Sequence, residues 1–101
     1  MNKTISYSHD LTKKAAFNKI SKIIPKLHKQ YRKNIEDAEW EWNDKKDIMT
    51  FSLRIKGFDV SGDLHLKNNK IVIQAEVPWA ATLFWGKIKS MITAKLDELI
   101  G

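Results

Sequence analysis

The chain contains no cysteine, which excludes disulfide bonds and metal sites built on thiolates. Only four glycines occur, and they are too scattered to form a phosphate-binding loop. No apolar run approaches the roughly 20 residues needed to span a bilayer. The first residues, Met1 to Tyr7, lack the apolar stretch of a signal peptide. We therefore expect a cytoplasmic protein with no transmembrane segment and no cofactor.

The composition is that of a folded globular protein. Hydrophobic residues make up 43% and charged residues 30% of the 101 positions. This length supports one modest hydrophobic core and is too short for two. We find no internal repeat and no linker. The sequence therefore predicts a single domain over residues 1–101.

Positive charge is concentrated at the start of the chain. Residues 1–34 hold nine of the eighteen Lys and Arg residues but only one acid, Asp10. The other 67 residues hold nine bases and eleven acids, so their net charge is slightly negative. The net charge of +6 thus belongs to one element and not to the whole surface.

That element is predicted to be an amphipathic helix from about residue 11 to 33, capped by Asp10 or Thr12. Pro25 lies inside it and cannot donate a backbone hydrogen bond, which predicts a kink or break near residues 21–24. Apolar residues recur on one face at steps of three and four: Phe17, Ile20, Ile24, Leu27 and Tyr31. Lysines follow the same spacing on the opposite face and form a candidate basic face: Lys19, Lys22, Lys26, Lys29 and Lys33.

Alternating apolar and polar residues predict five strands, one before the helix at Thr4 to Ser8 and four after it. In the second strand Trp40 and Trp42 share a face, which we expect to pack in the core. Tight turns are expected at residues 43–47, near Gly57 and at residues 67–70. The four later strands therefore predict an antiparallel meander with one dry and one wet face.

A second helix is predicted from Pro78 or Trp79 to about Ile100. Its apolar stripe should pack on the sheet, with Met91 beside it: Ala81, Phe84, Trp85, Ile88, Ile92, Leu96 and Leu99. Trp79 and Leu83 lie about 150° or more from the centre of this stripe. They form a candidate apolar interface that could be a secondary core, a homodimer contact or an exposed patch.

Together these elements predict an α+β fold in the order strand, helix, four-stranded antiparallel meander, helix. The C-terminal helix should lie across a curved sheet, an element order analogous to the helix-grip, or START-like, fold. Such an analogy carries no ligand by itself.

Other polar groups give weak signals for chemistry. The three histidines are scattered, and only His65 has an acid, Asp63, on the same strand face, where a solvated contact is expected. An acidic run, residues 36–44, predicts a wet strand face that could pair with lysines of the first helix. We therefore predict no catalytic residue, no metal site and no enzymatic activity.

The lysine stripe has three interpretations: a solvated helix face, a nucleic-acid site or a site for an anionic interface. Nucleic-acid binding is disfavoured, because few aromatic or amide side chains lie among the lysines. An anionic interface would attract each nearby lysine by about 1 kcal/mol. Of these three interpretations, only binding to an anionic interface also predicts a role for Trp79 and Leu83.

The order of elements and the residues of the second half resemble the polyhydroxyalkanoic acid system protein family, small bacterial proteins encoded beside polyester-storage genes, and the likeness covers most of the chain. The resemblance is carried by the strand residues 60–64 (Val-Ser-Gly-Asp-Leu), by the strand that runs into Val77-Pro78-Trp79, and by Lys87-Ile88-Lys89. It implies a non-enzymatic accessory protein of polyhydroxyalkanoate storage, which binds the granule surface or granule proteins and is inclusion-associated. The alternative is a small module that holds an apolar acyl ligand between the C-terminal helix and the sheet.

Overall fold

The computed structural model describes all of residues 1–101 as one five-stranded antiparallel sheet with two α-helices and a 3₁₀ helix. In chain order the elements are β1 (Asn2–Ser8), α1 (Lys13–Gln30), β2 (Ile35–Trp42), β3 (Ile48–Ile55), β4 (Phe58–Lys67), β5 (Lys70–Glu76), the 3₁₀ helix (Trp79–Phe84) and α2 (Trp85–Ile100). The predicted α+β class and element order are confirmed.

Strand order across the sheet is β1-β5-β4-β3-β2, and all four strand pairs are antiparallel. The predicted meander of β2 to β5 is confirmed, and β1 extends it at the edge of β5. Because β1 and β2 lie on opposite edges, α1 must cross one face of the sheet to connect them. An 18-residue helix is about 27 Å long, which exceeds the roughly 19 Å width of five strands.

The tight turns have the backbone geometry that their residues favour. Lys56 and Gly57 both take positive φ values, 51° and 83°, as a two-residue hairpin of type I′ requires. In the β4–β5 hairpin Asn69 has φ 63°. In the β2–β3 loop the Asn43 side-chain carbonyl accepts the backbone N–H groups of Asp47 and Ile48 at 3.0 and 3.1 Å. Local side-chain bonds therefore hold this longer loop.

Helix α1 begins as predicted but differs in its middle and at its end. The Thr12 hydroxyl accepts the Ala15 N–H at 3.2 Å and caps the helix. The predicted break near residues 21–24 is wrong, because the helix continues through Pro25. Pro25 is exposed, so solvent can satisfy the carbonyl that the missing N–H leaves free. The helix ends at Gln30, which places Tyr31 in the following turn and exposed.

Register across the sheet places the apolar residues of all strands on one face. One row runs from Trp42 through Met49, Leu64 and Ile73 to Ile5, each residue paired with its neighbour. The next row contains Gly62, where an added Cβ would overlap the Gln74 carbonyl oxygen and lie 2.9 Å from Ala75 Cα. Only glycine therefore allows β4 and β5 to approach as they do.

Both helices pack on this inner face, but mainly at one end of the sheet, where β1 ends and α1 begins. We call it the closed end. Its core cluster contains nine buried residues: Tyr7, Ala16, Ile20, Met49, Leu64, Leu66, Ile71, Leu96 and Ile100. α1 has no buried residue after Ile20, and α2 has none before Leu96. The helices are thus buried only where α1 starts and α2 ends.

The opposite end of the sheet, with the β3–β4 hairpin, is the open end. Its core cluster has only three buried residues, Ala75, Val77 and Ala81, and all are small. The larger residues packed on them remain partly exposed: Phe51, Phe58, Val60 and Trp85. The apolar face of this fold is therefore sealed at one end and incompletely covered at the other.

Candidate interaction surface

The chain passes from β5 into the 3₁₀ helix at the open end. Pro78 is extended, with φ −60° and ψ 151°, and its carbonyl accepts the Ala81 N–H at 3.0 Å. The Thr82 hydroxyl donates back to the Trp79 carbonyl at 2.6 Å. This side-chain bond occupies the carbonyl near the helix start and favours the tight winding. The predicted single α-helix from Pro78 or Trp79 is therefore wrong: six residues are 3₁₀, and α2 begins only at Trp85.

Trp79 and Leu83 are exposed, with relative solvent accessibilities of 75% and 79%. The sequence left three interpretations for this pair: a secondary core, a homodimer contact or an exposed patch. The exposure of both residues excludes a secondary core. Between them Ala81 is buried against Ala75 and Val77. The small buried residue anchors the 3₁₀ helix, while the two large residues project from it.

Phe84 is 57% exposed, so its predicted place in the core is wrong. It precedes α2 with φ −106° and ψ 5°, values outside the helical range, so its side chain does not continue the α2 stripe. Trp85 does pack on the open-end cluster, as predicted. Met91 is 58% exposed. The exposure of Phe84 was missed because the change from 3₁₀ to α winding alters the phase of the stripe, whereas Met91 lies at the edge of the α2 stripe.

We define the apolar patch as Trp79, Leu83, Phe84 and Met91. Lys87 and Met91 are four residues apart, so they lie on one face of α2. Lys87 and Lys89 are both exposed. The patch thus belongs to the 3₁₀ helix and the first half of α2, next to the open end of the core.

The candidate basic face is exposed in full. Lys19, Lys22, Lys26 and Lys29 lie on α1, whereas Lys33 lies in the turn after it. None of the three ion pairs in the structure involves a cation of α1. The predicted pairing of these lysines with the acidic run is therefore wrong.

The acids lie instead on the other side of the molecule. Glu39 and Glu41 are exposed on the outer face of β2, which no helix covers. A bulge between Glu36 and Glu39 gives Asp37 a positive φ of 52°. The Arg54 Nε donates to Asp59 Oδ1 at 3.0 Å, which with that carboxylate's charge raises the pKa of Arg54. The outer face of β2 is therefore acidic, whereas α1 is basic.

The charge division is sharp when counted by segment. Residues 11–34 and 77–96, which include α1, the 3₁₀ helix and most of α2, contain eleven Lys or Arg and no acid. The rest of the chain contains seven Lys or Arg and twelve acids. The apolar patch lies within the segments that carry no acid.

The closed end contains a polar cluster that sequence reasoning missed. The Tyr7 hydroxyl donates to Asp97 Oδ1 at 2.7 Å, which joins β1 to α2 and raises the pKa of Tyr7. His9 is buried beside it, and its Nδ1 accepts the Leu11 N–H at 2.9 Å. The His9 Nε2 is buried without a partner. No sequence signal links Tyr7 to Asp97, because the two residues are 90 positions apart and meet only through the fold.

Since Nδ1 is an acceptor, the proton of neutral His9 lies on Nε2, which makes this nitrogen a donor and not a general base. The other two histidines lie apart: His28 packs edge-on against the Trp40 ring at 5.3 Å, and His65 is half-buried on the outer face. No three His, Asp or Glu residues are grouped to hold a metal. No helix combines the length and hydropathy needed to cross a membrane.

Two clefts flank the sheet. One, of about 730 Å³, runs along the outer face at the open end from Glu39 and Arg54 to Trp79. The other, of about 510 Å³, is at the closed end between Tyr7, Asp97 and Ile100. Neither is lined by Trp85, Ile88 or Ile92 of the α2 stripe.

Three residues that carry the family resemblance have a structural role in the fold. Gly62 allows β4 and β5 to approach closely, and Pro78 and Trp79 begin the 3₁₀ helix. Residues 4–100 match the model of the family described as "Putative polyhydroxyalkanoic acid system protein". The chain belongs to this family. No curated protein and no solved structure matches it significantly. The predicted family is confirmed, and the match includes every element of the fold except the first two residues of β1.

Proposed function

We propose that this polyhydroxyalkanoic acid system protein is a non-enzymatic accessory protein that binds the surface of polyester granules through the apolar patch. The supporting observation is the exposure of Trp79 and Leu83 on a segment anchored by buried Ala81. Large exposed apolar residues held on a folded element are typical of interaction sites. The proposal places the protein in the cytoplasm, at the granule.

The energy available from this patch is substantial. A fully buried aromatic side chain removes about 150–250 Å² from water. Burial of the exposed parts of Trp79 and Phe84 alone would therefore remove roughly 200–330 Å², worth about 5–8 kcal/mol. This is comparable to the loss of translational and rotational freedom on binding, about 4–15 kcal/mol. Leu83 and Met91 would add to it.

A broad apolar surface suits this patch better than a small ligand does. The alternative function, an acyl ligand between α2 and the sheet, predicts a cavity lined by inward strand residues and the α2 stripe. The two clefts are not lined by Trp85, Ile88 or Ile92, and the large residues of the patch are exposed to solvent. We therefore favour contact with a surface or with granule proteins over an enclosed ligand.

The test is co-sedimentation of purified protein with polyester granules. The double variant Trp79→Ser with Leu83→Ser should lose most binding, because it removes the two most exposed large apolar residues. Val72→Ser, on the outer face of β5, is the matched control and should bind as the unmodified protein does. Equal pelleting of all three proteins would contradict the proposal.

A homodimer is the main competing use of the same patch, and sedimentation equilibrium distinguishes it. Under the proposal the purified protein is monomeric across the concentration range used for pelleting. A dimer that dissociates in the Trp79→Ser and Leu83→Ser double variant would assign the patch to a second copy. Granule proteins are tested by repeating the pelleting with granules stripped of protein.

A further inference from the structure

The sheet has two edge strands, β1 and β2, and they differ in how well they are protected against pairing with another strand. In β2 the bulge between Glu36 and Glu39 interrupts the register, and the exposed Glu39 and Glu41 would repel an acidic partner strand. β1 has no bulge, because all of Asn2–Ser8 pairs in one register with β5. β1 is therefore the edge that can accept a further strand.

The free backbone groups of this edge follow from the bonds that join β1 to β5. The His9 N–H donates to the Asn69 carbonyl in the register of the pair, and such bonds recur at every second residue of an antiparallel pair. The odd-numbered residues of β1 therefore bond to β5. The N–H and C=O groups of the even-numbered residues point away from β5, and these residues are exposed: Asn2, Thr4, Ser6 and Ser8. No hydrogen bond outside the regular elements uses these groups.

One antiparallel register lets a second copy of β1 use all of these groups. Its two-fold axis lies at Ile5. Asn2 is then opposite Ser8 of the second copy, and the two residues exchange N–H···O bonds. Thr4 is opposite Ser6 in the same way. Moving the axis by one residue leaves some of the free groups unpaired, so the edge is complementary to itself in a single register.

Lys3 determines which added strand is compatible with this edge. It is the only charged residue of β1, it lies on the same face as Ile5 and Tyr7, and it is in no ion pair. An inward-facing charge on an edge strand discourages pairing unless the partner supplies the opposite charge. In the register above, Lys3 is opposite Tyr7 of the second copy, whose hydroxyl donates to Asp97 at 2.7 Å. The second copy therefore supplies the carboxylate that Lys3 lacks.

The closed-end cleft has room for this lysine side chain. Its lining includes Tyr7, Asp10 and Asp97 but no residue of β5, so it lies beside the free edge of β1. The start of α2 packs at the open end through Trp85, and only its last turns lie over β1. In a pair centred on Ile5 the two Tyr7 residues are about 14 Å apart along the strands, more than the roughly 8–10 Å that two packed helices need. The α2 ends of both copies therefore fit.

We propose that two copies of this chain pair through β1, antiparallel about Ile5, and that Lys3 of each copy enters the closed-end cleft of the other. The inference is independent of granule binding, because no residue of the apolar patch lies in β1. One pair of short strands is a small interface, so we expect the dimer at concentrations above the range used for pelleting. Because β2 is protected, assembly stops at two copies.

Sedimentation equilibrium at up to about 1 mM protein measures this dimer. Thr4→Pro should remain monomeric, because proline lacks the N–H that faces the second copy, and the folded monomer tolerates it because this N–H makes no bond to β5. Thr4→Val, the matched control, keeps the N–H and should dimerise normally. The Trp79→Ser and Leu83→Ser double variant should also dimerise. A monomeric unmodified protein, equal behaviour of the two Thr4 variants, or dissociation in the double variant would overturn the inference.

Charge reversal tests the role of Lys3 in a chain that retains every backbone hydrogen bond. Lys3→Glu should raise the dimer dissociation constant at least about ten-fold, because it places a carboxylate beside Asp97 of the second copy. Lys3→Glu with Asp97→Lys should recover most of the affinity, since the pair is restored in reverse. Lys56→Glu, an equal charge change in the β3–β4 hairpin, should have little effect. No recovery in the double variant, or an equal loss in Lys56→Glu, would overturn the pairing of Lys3 with Asp97.

Amide hydrogen exchange locates the contact. At dimer-forming concentrations the Thr4 and Ser6 amides should exchange more slowly than in dilute protein. The amides of Trp40 and Trp42 are the control, because they face the free edge of β2: the neighbouring Asn43 N–H bonds to the β3 carbonyl in the register of that pair. Their exchange should not change. Slower exchange at Trp40 and Trp42 in place of Thr4 and Ser6 would overturn the inference and assign the dimer to β2.

Discussion

The two ends of the helix layer differ in what covers the sheet. At the closed end Ile20 and Leu96, one from each helix, are buried over large strand residues. At the open end the buried residues are small, and Phe51, Phe58 and Trp85 remain partly exposed. The exposed patch continues from this incompletely covered end. The large buried core and the proposed binding surface thus lie at opposite ends of the same apolar face.

The largest expected effect comes from Gly62, in the row of the sheet next to the closed-end core. Gly62→Ala would force its Cβ against the Gln74 carbonyl and separate β4 from β5. We expect a loss of about 3 kcal/mol or more in unfolding free energy, measured by urea denaturation. Ser61→Ala, on the exposed outer face, should change it little. A fully stable Gly62→Ala protein would show that the strands can separate without cost.

A matched isoleucine pair tests the two ends directly. Ile20→Ala removes a buried side chain at the closed end and should cost about 2–5 kcal/mol. Ile88→Ala removes a partly exposed one from the first half of α2 and should cost about 1 kcal/mol. Urea unfolding measures both. Equal losses of unfolding free energy would mean that the helices pack equally well at both ends of the sheet, which would contradict the difference between the closed and open ends.

Tyr7→Phe breaks the bond between β1 and α2 and should lower the urea midpoint by less than Ile20→Ala does. Because the folded-state pKa of Tyr7 is raised, the folded protein retains this proton after the unfolded chain has lost it. The stabilisation is complete below the ordinary tyrosine pKa near 10 and is lost as pH rises through the folded value. The difference between the two proteins should therefore shrink at alkaline pH; a constant difference would argue against this bond.

The smallest effect is expected at the patch itself. Trp79→Ser should change the unfolding free energy by no more than about 0.5 kcal/mol, because the side chain contributes little to the core. Trp42→Ser is the contrasting variant, since Trp42 packs edge-on against Phe17 with ring centroids 4.8 Å apart, and it should cost more than about 2 kcal/mol. Comparable losses would place Trp79 in the folded core.

Much of the architecture could be predicted from short-range patterns. Period-two alternation located all five strands and the inward side of each, including Trp40 and Trp42. Thr12 was among the predicted caps, and the turns lie where asparagine and glycine predicted them. These features depend on neighbouring residues, so local sequence carries the required information.

The errors arose where local rules compete with the fold. Pro25 does not break α1, because its position on the exposed side leaves the free carbonyl to solvent. Phe84 is not in the core, because the 3₁₀ helix changes the winding that a continuous α-helix would have. Trp79 and Leu83 fit no stripe and are exposed, whereas Phe84 fitted the predicted stripe and its exposure was therefore not expected.

The sequence by itself determined the strands, the wet and dry faces, the basic first helix and the family resemblance, since each follows from the order of residue types. Only the tertiary structure decided that the helices seal one end of the sheet and leave the other open, and that Trp79 and Leu83 are exposed at the open end. These features depend on which segments meet in the folded chain. Tyr7 and Asp97, for example, are 90 positions apart in the sequence and form a hydrogen bond, and no local sequence pattern predicts such a contact.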